Sequence, residues 1–191
     1  MTAARSYMRR FIDRLAGCER AVIAVEMALA APVLVVLLLG ALDVGWRILA
    51  EYKLQRTAAT LADLVARDRQ VTESGISDAF AALAAISAPF DLESDGRAIV
   101  SSIHDDDGAT PEILWQRLSP TGIDVESRLG AEGEIADLDT VVDLEAGESV
   151  IVAEVFYRFD PLIGFFLEPD QLLYFRWVAT PRFGSLDEVL P

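Results

Sequence analysis

Glu26 is the residue whose chemistry ordinary packing explains least. It is the one ionisable group within Ala21 to Leu42, AVIAVEMALAAPVLVVLLLGAL. A carboxylate inside an apolar helix costs up to about 3 kcal/mol at mid-membrane and less near an end. Two readings follow: a tolerated acid near the edge, protonated or reaching for headgroups, or one half of a charge pair completed by a cation inside an assembly. Other chemistry-bearing residues are few. The chain has one histidine, His104, and one cysteine, Cys18, on opposite sides of the apolar run, so a nucleophilic triad has a single base to draw on. His104 stands beside three acids and reads as a solvated loop residue. Acid pairs such as Asp137 with Asp139, or Glu145 with Glu148, arise freely among 31 acids, and a glycosidase would need two of them across a cleft. Asp91, Glu93, Asp95 and Gly96 match positions 1, 3, 5 and 6 of a calcium loop, but position 12 is Ser102, without the bidentate carboxylate. They stand as incomplete calcium candidates, and Asp105 to Asp107 reads as a hydrated turn. The expectation is no catalysis, no cofactor and no metal.

The element that must position Glu26 is a membrane helix. At about 1.5 Å per residue, the run from Ala21 to Leu42 extends about 33 Å, enough for a hydrocarbon core of about 30 Å. Five arginines precede it against Asp13 and Glu19, while 11 Arg and Lys face 28 Asp and Glu from Asp43 onward. Cationic flanks stay cytoplasmic, so the N-terminus lies inside and the bulk of the chain outside, in a bacterium the periplasm. Trp46 and Tyr52 are expected at the interface. A cleaved secretory signal fits less well, because Met27 to Leu42 is too long and Leu39 occupies the place of a small residue before a cut at Ala41. Leu15-Ala16-Gly17-Cys18 looks like a lipoprotein box without the apolar run such a signal needs before its cysteine. The acidity of the exported part also argues against nucleic acid as a partner and leaves the leader arginines to anionic lipid.

Four regions follow: a basic cytoplasmic leader over 1–20, the span over 21–42, a periplasmic extension of the helix over 43–72, and an α+β domain over 73–191. Val44, Ile48, Leu54, Ala58, Leu61 and Val65 recur at helical spacing, with no Pro or Gly from Trp46 to Gln70. The distal half of that stripe is expected to pack on its own domain; the alternative is a surface shared with neighbouring helices. Thr72 to Gly75 breaks the pattern, and Ile76 to Ser87 reads as a second helix ending before Pro89. Arg97 to His104 and Glu112 to Leu118 predict a hairpin around Asp105 to Gly108. Residues 122–147 read mostly as loop. Ser149 to Phe159 alternates, with Ile151, Ala153, Val155, Tyr157 and Phe159 on one face and Glu154 and Arg158 on the other. Leu172 to Thr180 repeats the alternation, and the two are expected to pair antiparallel. With no cysteine beyond Cys18, the exported part has no disulfide available.

A short basic leader followed by an acid five residues into an apolar helix resembles a type IV prepilin signal. In that family a membrane peptidase cuts before position +1, and Glu at +5 meets the new amine, usually of a neighbouring subunit. Counting back from Glu26 places +1 at Val22 and the cut after Ala21. Ala21 departs from the usual Gly, Val22 from the usual Phe or Met, and a cut at Gly17 would put Glu26 at +9, so cleavage stays open. The run from Gly17 to Gly45 narrows the resemblance: Ala24-Val25-Glu26-Met27-Ala28-Leu29, then Pro32 before a Leu and Val run, then Gly40, Asp43 and Gly45, is similar to TadE-like proteins. Those are minor pilins or pseudopilins of the tight-adherence (Flp) system. Pro32 removes a helix hydrogen bond, which membrane helices tolerate by local adjustment. Val152 to Leu162 and Thr180-Pro181-Arg182 resemble the closing strands of the same family. The resemblance implies an α+β, type IV pilin-like fold: a long N-terminal transmembrane helix continuing into a periplasmic domain with a small antiparallel sheet. It implies as partners other pilins or pseudopilins, inner-membrane pilus assembly proteins, the prepilin peptidase and membrane lipid. The alternative is an uncleaved single-pass scaffold.

Overall fold

Helical spacing and strand alternation both materialise in the computed structural model, which describes residues 19–138 and 144–191. Most of the basic leader, including Cys18, lies outside the described residues, as does Asp139. The long helix α1 runs over Glu19–Ala66, and the short strand β1 over Val71–Thr72. Then come α2 (Glu73–Ser87), α3 (Leu92–Asp95), β2 (Gly96–Asp105), β3 (Glu112–Leu118), β4 (Glu148–Phe159), β5 (Gln171–Ala179) and β6 (Val189–Leu190). The class is α+β, as expected.

The helical extension is shorter than the sequence suggests. It ends at Ala66, and residues 67–72 form a turn and β1, which pairs in parallel with β6. The free carbonyl of Ala66 accepts the backbone N–H of Arg182 at 3.0 Å, while the Arg182 guanidinium reaches Asp63 at 2.7 Å. A cation at a helix C-terminus is favoured both by the exposed carbonyls and by the helix dipole. Helix α2 starts three residues earlier than expected, because Thr72 acts as its N-cap: the hydroxyl accepts the Gly75 N–H at 3.0 Å.

The sheet has the order β3-β2-β4-β5, antiparallel throughout. Its expected hairpin and its β4–β5 pair are both present. One face carries Val100, Trp115, Ile151, Ala153, Val155 and Phe159, packed under Leu54, Ala58, Leu61 and Val65 of α1 and Phe80 and Leu83 of α2. Val44 and Ile48, read as the start of that stripe, are instead exposed.

The second face is covered too. Residues 119–138 and Leu144 make few regular elements, yet Leu129, Ala136, Leu138 and Leu144 pack on Ile103, Ile113, Val150 and Val152, and Ile123 packs on Ile99 and Phe156. This cover is stitched down by Arg97, whose guanidinium donates to the carbonyls of Ile123 and Ser119, each at 2.7 Å. Gly122 permits the approach: a Cβ there would lie 1.9 Å from the Gly96 carbonyl oxygen, at φ +124°. Because both faces are dry, β4 is buried almost continuously instead of alternately.

Candidate membrane and assembly segment

Helix α1 divides into two halves with opposite surroundings. Val22 to Leu38 are exposed on every side, Glu26 and Pro32 among them. From Asp43 on, its side chains sink progressively into the domain. The helix continues through Pro32, which has no N–H to give to the preceding turn. Among the described residues it is the one helix long and apolar enough to cross a membrane. The Ala21–Val22 bond lies inside this helix, close to its first described turn. Glu26 makes no ion pair among the described residues.

The change of surroundings is built by Gly40, Asp43, Trp46 and Arg47. Asp43 is fully buried; its Oδ1 accepts the backbone N–H of Ile163 at 2.9 Å, and its Oδ2 is buried without a hydrogen-bond partner. A Cβ on Gly40 would stand 2.9 Å from the Phe166 ring, which therefore lies directly on the helix backbone. Arg47 pairs with Glu51 at 2.7 Å, donates to the Gln171 side-chain oxygen, and stands 5.5 Å over the Phe159 ring. Trp46 turns inward, with its ring 4.8 Å from Phe90, which in turn meets Tyr157 edge-on at 5.8 Å. Its expected place at the membrane interface is thus corrected: the ring completes the core. Tyr52 does face outward.

The acids considered for calcium have other work. Asp91 is the N-cap of α3, its Oδ1 accepting the N–H groups of Glu93 at 3.0 Å and Ser94 at 3.3 Å. Asp95 accepts from the Ser94 hydroxyl at 3.0 Å, and Gly96 opens β2. Ser102 is buried within that strand and donates to Leu186 at 2.9 Å. The stretch is a helix cap followed by a strand, not a loop wound about a point. Asp105 is no hydrated turn residue: it is buried, and its Oδ1 faces the N–H groups of Asp107, Gly108, Ala109 and Thr110 at 2.8 to 3.4 Å. Asp107 is held below the usual carboxylate range, chiefly by the Thr110 hydroxyl and then by the Ala109 amide. His104 belongs to β2, largely shielded, with Nε2 3.0 Å from Asp106 and a buried Nδ1. Among the described residues no three His, Cys, Asp or Glu side chains converge on a common point.

Glu154 lies on the face of β4 opposite Ile151, Ala153 and Val155, as the alternation places it, and that face is closed by the irregular cover. It is fully enclosed under the irregular cover, where it accepts from the Ser127 hydroxyl, the Arg128 N–H at 3.1 Å and the Tyr174 hydroxyl at 2.8 Å. The Arg128 guanidinium lies 4.1 Å over the Tyr174 ring. Burial first, and then the Glu154 charge, push the Tyr174 hydroxyl pKa upward. These contacts fasten the cover to the sheet.

The segment with the unusual geometry is also the one that matches known proteins. The family model described as TadE, TadE-like protein, matches residues 21–63, which is α1 from the candidate cleavage bond almost to its end. No curated protein and no solved structure matches the chain.

Proposed function

We propose that this chain is a minor pilin- or pseudopilin-like component of tight-adherence (Flp) pilus assembly, anchored in the bacterial inner membrane with its N-terminus cytoplasmic and its α+β domain periplasmic. It acts by contact and not by catalysis. The observation that carries this reading is the division of α1. Its first half is apolar and unpartnered around the acid Glu26, whereas its second half is packed into the α+β domain. The TadE-like match over residues 21–63 supports it. A helix of this kind presents itself to other helices in a bilayer, where an unpaired carboxylate favours a neighbour bringing a cation. Glu26 then sets helix register by pairing with an N-terminal amine, and the periplasmic domain offers the contact surface to other pilins and to inner-membrane assembly proteins.

The experiment is the mature N-terminus of membrane-extracted protein, by intact mass and N-terminal peptide mapping, with and without the prepilin peptidase. A peptidase-dependent start at Val22 makes the chain a processed pseudopilin and Glu26 a +5 residue. An intact leader leaves the anchor standing and moves the reading to an uncleaved assembly scaffold. In either case Glu26→Ala should insert at least as readily as the parent and fail to support piliation; normal piliation would remove the register role.

A further inference from the structure

The connection between β4 and β5 carries Leu162-Ile163-Gly164-Phe165-Phe166-Leu167 between Asp160 and Glu168. Its neck is fastened. The Asp170 N–H donates to Asp160 at 2.8 Å, and Arg158 pairs with Asp170 at 2.9 Å. Its tip is apolar and open: Phe165 is 68% exposed, Leu162 59% and Phe166 52%, with the two phenylalanine rings edge-on at 4.9 Å. A contiguous apolar tip on a loop with a fixed neck marks an interaction surface.

Its position on the molecule says with what. Phe166 lies on Gly40 and Ile163 is tied to Asp43, so the loop sits beside α1 where the apolar run ends at Leu42. At about 1.5 Å per residue, Gly40 is about 3 Å inside the end of that run. Phe166 lies on α1 at Gly40, beside the exposed Leu38 and Leu42, and its own ring meets the exposed Phe165, so the apolar tip adjoins the exposed half of the helix. The water-seeking groups Asp160, Glu168 and Asp170 sit at the neck.

We propose that this loop is a second membrane contact: Leu162, Ile163, Phe165 and Phe166 insert among the acyl chains at the periplasmic boundary of the bilayer that α1 spans. The proposal rests on the reading of α1 as a span. Interfacial segments of this kind bury about 5–10 Å into the headgroup and acyl boundary. One helix leaves a domain free to tilt on the membrane; a helix plus a loop clasped to it at Asp43 fixes its orientation.

The test uses the full chain with Cys18→Ser, reconstituted in phosphatidylcholine and phosphatidylglycerol vesicles. Single cysteines at Phe165→Cys, Val36→Cys and Asp124→Cys carry an environment-sensitive fluorophore. Lipids brominated near the headgroup or deep in the chain, and aqueous iodide, serve as quenchers. The expected result is loss of the Phe165-site emission with shallow bromine, protection there from iodide, quenching of the Val36 site by deep bromine, and quenching of the Asp124 site by iodide alone. A lipid-quenched Val36 site beside an iodide-quenched Phe165 site overturns the loop contact and leaves the span intact. A Phe165 site protected from both quenchers at high protein density and opened by dilution shows a second copy as the occupant, and also overturns it. If lipid quenches neither site, the span reading fails and the loop contact fails with it.

Discussion

The carboxylate of Asp43, fully buried on α1, accepts the backbone N–H of Ile163 at 2.9 Å, from 120 residues further along the chain. One bond therefore joins the end of the apolar run to the turn between the last two sheet strands.

Asp43→Ala sets two effects of similar size against each other. Leaving the Ile163 N–H without its acceptor costs about 1–3 kcal/mol, while removing a buried oxygen without a partner, Oδ2, returns about 1–3 kcal/mol. Global stability should therefore change by no more than about 2 kcal/mol in either direction. The Ile163 amide, however, should exchange with solvent much faster, and Asp43→Asn should preserve most of its protection. Hydrogen exchange on the reconstituted protein checks this; unchanged protection at Ile163 in the alanine variant would refute the clasp.

Gly40→Ala separates helix propensity from loop packing. Alanine favours a helix by about 0.5–1 kcal/mol over glycine. Its Cβ, however, would meet the far edge of the Phe166 ring at 2.9 Å, and an exposed ring can swing away. The expected outcome is a thermal midpoint equal to or above that of the parent, with proteolysis in 161–167 accelerated. A lowered midpoint would mean the ring cannot move.

Glu154→Ala should cost about 2–4 kcal/mol, since it strands the Ser127 and Tyr174 hydroxyls and the Arg128 amide beneath the cover. Glu154→Gln keeps one acceptor and should lose less. Denaturant midpoints of the two variants give the ranking, and exchange should rise first in residues 125–138. Equal stability of all three chains would show that the carboxylate is not what holds the cover.

Tyr174 makes stability fall in alkali. Its pKa is raised in the folded protein, by burial and then by Glu154, so its contribution is complete below the ordinary tyrosine value near 10 and declines as pH rises through the folded value. Tyr157 is shifted in the same direction, by burial and then by Asp95 and Asp91. Unfolding curves from pH 8 to 12 should show stability dropping above about pH 10, and Tyr174→Phe should flatten that drop. An identical slope in the variant would remove Tyr174 from the linkage.

Much of this architecture is legible in the spacing of residues. Leu54, Ala58, Leu61 and Val65 announce a helix with one buried stripe, and Ile151 to Phe159 announces the strand beneath it, because a packed face imposes its period on the sequence. Periodicity is silent where the backbone is irregular. Ile123, Leu129, Leu138 and Leu144 follow no repeat, so nothing in their order reveals that they roof the sheet and shut Glu154 away. Glu26 stands out in the sequence, and Gly40 and Asp43 enter only through the family resemblance; the meaning of these two depends on Ile163 and Phe166, which only the folded chain brings near. The available signal was an apolar run, Leu162 to Leu167, bounded by Asp160 and Glu168 and lacking strand alternation.

The Ala66 carbonyl that receives the Arg182 amide has a consequence for export. With the N-terminus held inside, as proposed, α1 enters the membrane first, yet β4 and β5, which cover its distal half together with α2, and the residue that closes its end arrive more than 80 residues later. On that orientation the anchor would be in place long before the domain can close over it. On the orientation proposed above, folding on the far side would follow translocation, with a half-covered apolar helix waiting on the last residues to emerge, and the interval between the two would be a window for holding factors or for neighbouring anchors to engage it.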